Sequence, residues 1–252
     1  EEKSEIFWNA LFRVTERDKE GKYEEAILRS IEYLAKYIEP PIGITCTNWG
    51  LYIRYYPLIV SLYILFIVGV AKKRYGLLNK LLKIELIGRS YHHQHYPLPY
   101  VLFFIRRADE VFQTQHPRYP NQKWCDGVSS YIKTFLKQKI KIDDPLWDWE
   151  KAFFEGEFVL CLTPLDLIDK ERGVLLIGHP SAGAFLYFSS AVPIIRNFLR
   201  KEHDKIAKIF SRPLKDILLD FDKTAEKLIS ALCFGSGFVS GASEIIQPHE
   251  NR

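Results

Sequence analysis

The sequence contains no methionine, not even at its first position, which is a glutamate. The expectation is therefore an excised domain or processed product of a longer protein, with any activity residing in the remainder. Cysteine is sparse as well: Cys46, Cys125, Cys161 and Cys233 lie far apart and form no C-x-x-C pair. That spacing speaks against a cysteine-only zinc site and predicts four reduced, largely buried thiols in a cytoplasmic protein. Two long-range disulfides are the alternative. Glycine (14) and proline (13) are modest in number, which suits helices better than a turn-rich β-sandwich. The formal charge of +4 is small for 252 residues and weaker than nucleic-acid binders usually carry. The polar start, Glu1-Glu2-Lys3-Ser4, is unlike a signal peptide.

What the chain does have is apolar residues at helical spacing, and 47% hydrophobic content excludes global disorder. Ser4 as N-cap, with Ile6, Phe7, Ala10, Leu11 and Val14 behind it, predicts a first helix. Gly21 marks a turn. A second apolar face follows, Tyr23, Ala26, Ile27, Ile31, Leu34, Ala35 and Ile38, and Pro40-Pro41 halts it. The opening Gly21-Lys22-Tyr23-Glu24-Glu25-Ala26 resembles the second helix of tetratricopeptide-type hairpins, without that repeat's period. The most apolar stretch runs from Tyr55 to Ala71, flanked by Arg54 and Lys72-Lys73-Arg74. Its length lies where buried core helices and membrane spans overlap, and the core reading is preferred. Further helices are expected over Leu77–Leu86, Tyr100–Phe112, Ser129–Lys141, Ala182–Lys201 and Leu214–Cys233, and one opened by Asp144-Pro145. Gly173–Gly178 is a short apolar run of strand or helix character.

These elements predict an all-α fold, an irregular bundle of helical hairpins with at most one short strand pair. The organisation expected is an N-terminal helical half over 1–112 and an irregular connection over 113–127, rich in Pro, Asn and Gly. A C-terminal half over 128–234 and a flexible tail over 235–252 complete it.

Four constellations bear on chemistry. His92, His93 and His95, with Glu85 nearby, offer metal-ligand nitrogens, but adjacent side chains diverge and a solvated loop is expected. Ser181, preceded by Gly178-His179-Pro180 and followed by Gly183, sits like a hydrolase nucleophile, yet His179 occupies the position where the G-x-S-x-G elbow needs glycine. A capped helix start accounts for it. Asp143, Asp144, Asp148, Glu150, Glu155 and Glu157 surround Trp147 and Trp149, but carboxylates on one helix do not oppose each other as glycoside hydrolysis requires. Lys72, Lys73, Arg74, Lys80, Lys83 and Arg89, and then Lys133, Lys137, Lys139 and Lys141, are interleaved with tyrosines. They would suit a nucleic-acid backbone or simply a solvated helix face.

Arg54-Tyr55-Tyr56-Pro57 leading to Lys73-Arg74-Tyr75, and later Leu146-Trp147 with Phe153-Phe154-Glu155-Gly156-Glu157-Phe158, together form a pattern. It resembles the helical C-terminal region of bacterial multidomain defence-type proteins, where it follows SIR2-like, TIR-like or AlbA-like domains. The resemblance covers scattered landmarks between residues 54 and 160 and implies a sensing, accessory or oligomerising role. No such effector core is present, and no catalytic residue carries over. The function expected is a helical interaction, sensing or oligomerisation domain of a larger prokaryotic protein, without catalysis, metal or cofactor. Trp147, Trp149, Phe153 and Phe154 are the candidate contacts for a partner chain, a missing effector domain or a second copy. The alternatives are nucleic-acid binding through the basic faces and membrane anchoring through 55–71.

Overall fold

A computed structural model describes residues 2–38, 48–87, 95–98, 127–166, 190–232 and 241–245. The fold is all-α. Its helices are α1 (Glu2–Arg17), α2 (Glu24–Lys36), α3 (Asn48–Ala71), α4 (Tyr75–Leu82), α5 (Gly127–Lys139), α6 (Trp149–Asp166), α7 (Ala191–Ile206), α8 (Leu214–Leu232) and α9 (Ala242–Ile245). One short antiparallel pair, β1 (Glu85–Ile87) with β2 (His95–Pro97), joins Leu86 to Tyr96 in register. The strand pair falls there, across part of the expected 88–99 loop. Gly173–Gly178, the helix expected over Tyr100–Phe112 and most of the 113–127 connection lie outside the described residues.

The architecture follows from two helices that are apolar on nearly every side. Both α3 and α6 lack a polar face, so neither can rest at a surface, and their mutual contact is the most extensive in the fold. Gly156 permits the close approach: a Cβ there would lie 2.5 Å from the Ile67 Cα. Tyr63 stacks on Phe153, with ring centroids 6.1 Å apart, and Phe66, Phe154 and Phe158 are fully buried around the crossing. The amphipathic helices α1 and α2 cover α3, while α7 and α8 cover α6. Because α3 precedes residues 113–127 and α6 follows them, the two expected halves share a single hydrophobic core.

The stretch Arg54–Ala71 is long and apolar enough to cross a bilayer, and 72% of it is buried inside this fold. Pro57 lies within α3; Ser61 Oγ donates to the Pro57 carbonyl oxygen at 2.7 Å. Leu58 to Val68 then form the buried centre of the helix.

Several boundaries differ from expectation for local reasons. Helix α1 starts at Glu2, so Ser4 lies inside it rather than capping it. Its buried face is Trp8, Leu11, Phe12 and Thr15, leaving Ile6 exposed. Helix α6 starts at Trp149, not at Asp144-Pro145. Asp148 Oδ1 accepts from the Lys151 N–H at 3.0 Å as the cap, and Asp144 closes a turn by accepting from the Leu146 N–H at 2.9 Å. The tail is anchored where it is described. Asp222 on α8 accepts from the Ala242 N–H at 2.9 Å, the Ser243 N–H at 3.0 Å and Ser243 Oγ at 2.6 Å, seating α9 on α8.

Candidate functional site

The aromatic residues expected to meet a partner lie within the chain. Phe153 and Phe154 are wholly buried and Trp149 is nearly so. Trp147 packs edge-on against Phe12, with Lys72 Nζ 5.1 Å above its ring. Burial of Trp149, Phe153 and Phe154 is satisfied within the chain, whereas Trp147 is half-buried.

The basic residues meet acids. Lys72 lies 3.5 Å from Glu16 and 3.8 Å from Asp144, and Lys80 donates to Glu24 at 2.6 Å. Arg74, with its side chain only 9% exposed, donates to the Thr15 carbonyl at 3.2 Å, to Asp18 at 3.0 Å and to Glu24 at 3.2 Å. Asp18 also accepts from the Lys22 and Tyr23 backbone N–H groups. Burial opposes the charge on Asp18, but these donors outweigh it and hold the carboxyl below its ordinary range; Glu24 is lowered in the same way by Lys80 and Arg74. In the second basic stretch Lys133 reaches Glu150 at 3.0 Å and Lys139 reaches Glu5 at 2.7 Å. Lys137 and Lys141 of the same stretch are exposed. Lys83 is exposed, and Arg89 lies outside the described residues.

Of the remaining candidates, His92, His93, His179 and Ser181 lie outside the described residues, as do Cys46, Cys125 and Cys233. Cys161 is a buried reduced thiol on α6. Among the described residues no group of His, Cys, Asp or Glu is arranged to hold a metal. The acidic residues around the tryptophans point apart: Asp143 pairs with Arg13 and Arg17, Glu150 with Lys133, and Glu157 accepts from the Tyr63 hydroxyl at 3.1 Å.

One cluster gathers titratable groups from four separate elements. Lys73, in the turn after α3, donates to Glu202 Oε1 on α7 at 2.6 Å, and Lys205 donates to Oε2 at 2.9 Å. The Tyr75 hydroxyl of α4 donates to Oε2 at 3.4 Å. Glu155 of α6 faces the same group and is 7% exposed, and no hydrogen bond reaches its carboxyl among the described residues. Burial pushes Glu155 up to about 7; Lys151 and Lys73 resist the rise, while Asp148 and Glu202 add to it. Burial also raises Glu202, but the hydrogen bonds from Lys73 and Lys205 prevail and lower it. Tyr75 is raised by burial and then by the charges of Glu202 and Glu155.

The sequence places Lys73 on a basic face and Glu155 in the acidic group around Trp147 and Trp149, and it does not show Tyr75, Glu202 and Lys205 as a cluster with Lys73. The available signal was Glu155-Gly156-Glu157 set inside an otherwise apolar helix, since buried carboxylates need a reason.

No protein-family model, curated protein or solved structure matches the chain.

Proposed function

We propose that this chain is a helical interaction domain of a larger prokaryotic protein, one that docks another protein chain and performs no catalysis itself. The observation that supports this reading is the outer face of α2. Tyr33 and Tyr37, one helical turn apart, stand 58% and 52% exposed with their rings 4.9 Å apart. They are flanked by Glu25, Arg29 and Lys36, while Ile27 and Ile31 fix the opposite face in the core. Tyrosine presents a large rigid surface with a polar tip at low entropic cost, and it is enriched at protein interfaces for that reason. The basic residues Lys72, Lys73, Arg74 and Lys80 each face a carboxylate, which weakens this run as a phosphate-binding face.

The test is association measured by light scattering, for the chain alone and mixed with the remainder of its parent open reading frame. The double variant Tyr33→Ser/Tyr37→Ser runs in parallel. Assembly that the double variant loses, with an unchanged circular dichroism spectrum, supports docking through α2. A wild-type chain that stays monomeric and ignores the rest of its parent rejects the reading.

A further inference from the structure

Lys72, Lys73, Arg74 and Lys80 face carboxylates inside the fold, and the surplus charge of the chain sits elsewhere, on α7. Helix α7 and the single turn after it, Ala207–Ile209, hold five lysines and arginines against two carboxylates. That surplus of three is most of the +4 carried by all 252 residues. The helical period sorts these charges onto one side. Ala191, Ile195, Phe198, Leu199 and Ile206 are buried, and α7 rests on α6. The opposite side is formed by Asn197, Arg200, Lys201 and Asp204, all exposed, with half-buried Arg196 one turn before Arg200 and exposed Lys208 one turn after Asp204. Lys205 is held by Glu202 at 2.9 Å, and Asp204 faces His203 Nε2 at 3.1 Å. Among the described residues no carboxylate pairs with Arg196, Arg200, Lys201 or Lys208.

We infer that this face of α7 binds the phosphate backbone of a nucleic acid. The inference is independent of docking through α2. Three kinds of polyanion carry the complementary charge, and the residues discriminate among them. A helix lying on an anionic membrane inserts its apolar side, whereas that side of α7 is already spent on the core. An acidic protein segment docks around an apolar or aromatic anchor, and among the described residues every large exposed hydrophobic side chain lies on another element. A phosphate backbone needs neither, because ammonium charges and guanidinium forks hold it directly. From Arg196 to Lys208 the row is about 18 Å long, enough to follow about five phosphates of one strand. Asp204 stands within the row and repels the same phosphates, so it limits the affinity.

Fluorescence anisotropy of a labelled DNA duplex, titrated with the whole chain over a salt series, tests the assignment. Four phosphate contacts predict an affinity that falls about a hundredfold from about 50 to about 200 mM salt. In Arg200→Gln/Lys201→Gln the same interval costs about tenfold, and Asp204→Asn tightens binding. The control is Lys137→Gln/Lys141→Gln, which removes two exposed cations at the end of α5 and leaves binding unchanged.

Absent binding, an affinity indifferent to salt, or an equal loss in the control pair overturns the proposal. Displacement of the duplex by polyglutamate at equal charge concentration also overturns it and assigns the face to an acidic protein segment. Binding to phosphatidylserine vesicles in place of the duplex overturns it in favour of a membrane. Circular dichroism checks the fold of each variant. Should the Arg200/Lys201 variant fail to fold, Asp204→Asn decides: tighter binding supports the proposal, and unchanged binding overturns it.

Discussion

Replacing Gly156 with alanine is expected to destabilise the protein by about 2 kcal/mol, against the usual helix preference. In an exposed helix the change gains about 1 kcal/mol through reduced backbone freedom in the unfolded chain. At the α3–α6 crossing the added Cβ would lie 2.5 Å from the Ile67 Cα, 2.7 Å from the Ile67 N and 2.9 Å from the Phe66 carbonyl carbon. All three are backbone atoms of a helix that is itself enclosed, so no side chain can swing aside. The two central helices must separate, which places the overpacking cost at the upper end of its range, about 3 kcal/mol. The net loss corresponds to a melting temperature lower by about 4–8 °C for a chain of this size. Gly76→Ala is the internal control. It lies in α4 with nothing within 4 Å of the new Cβ, and is expected to be neutral or to stabilise by up to about 1 kcal/mol. Urea denaturation followed by far-ultraviolet circular dichroism measures both. A Gly156→Ala protein as stable as Gly76→Ala, with the same denaturant slope, refutes the crossing geometry.

Arg74→Met is expected to cost about 3 kcal/mol in the same assay, because it takes the guanidinium from the Asp18 carboxylate, whose side chain is 2% exposed, and leaves that charge to the Lys22 and Tyr23 backbone N–H groups. Lys80→Met, which removes a largely exposed partner of Glu24, should cost less than about 1 kcal/mol, and equal losses would refute the ranking. The lowered carboxyls of Asp18 and Glu24 predict acid sensitivity. Their contribution is present above the ordinary values of 3.8 and 4.5 and is lost as pH falls below them, so a denaturation midpoint that stays flat on acidification counts against the cluster. Asp222→Ala should free α9, seen as new protease cleavage around 241–245 with most of the global stability retained. Continued resistance would show that Ala242 and Ile245 hold the segment by packing.

Most of the helices were legible because their stripes obey the helical period, and α3 was found by its unbroken apolar run. The errors fall where two local signals compete. Asp144-Pro145 looks like a helix start, but the backbone there closes an Asx turn, and the start passes to Asp148 one turn later. In α1, Phe7, Leu11 and Val14 of the expected stripe do pack on the core, but Ile6 and Ala10 are exposed because the buried face centres on Trp8 and Phe12. Within the expected tail, Ala242 and Ser243 are held by a side chain twenty positions away, Asp222, which no local signal reveals.

The candidate site was much harder to see, and the reason is the sequence separation of its partners. Lys73 and Glu202 are 129 positions apart, and Arg74 and Asp18 are 56 apart. Read in order, Lys72-Lys73-Arg74 is a basic run beside an apolar helix, the pattern of a membrane flank or a phosphate-binding face. In the fold the same run serves α3, which has no polar face with which to set its own rotation or height. Hydrophobic burial is non-directional, so it can enclose such a helix without fixing its register. The ion pairs supply what burial cannot: Lys72 and Arg74 tie the end of α3 to α1 and α2, and Lys73 ties it to α7. A buried ion pair adds little net stability over an apolar substitute. The cluster is therefore better understood as positional.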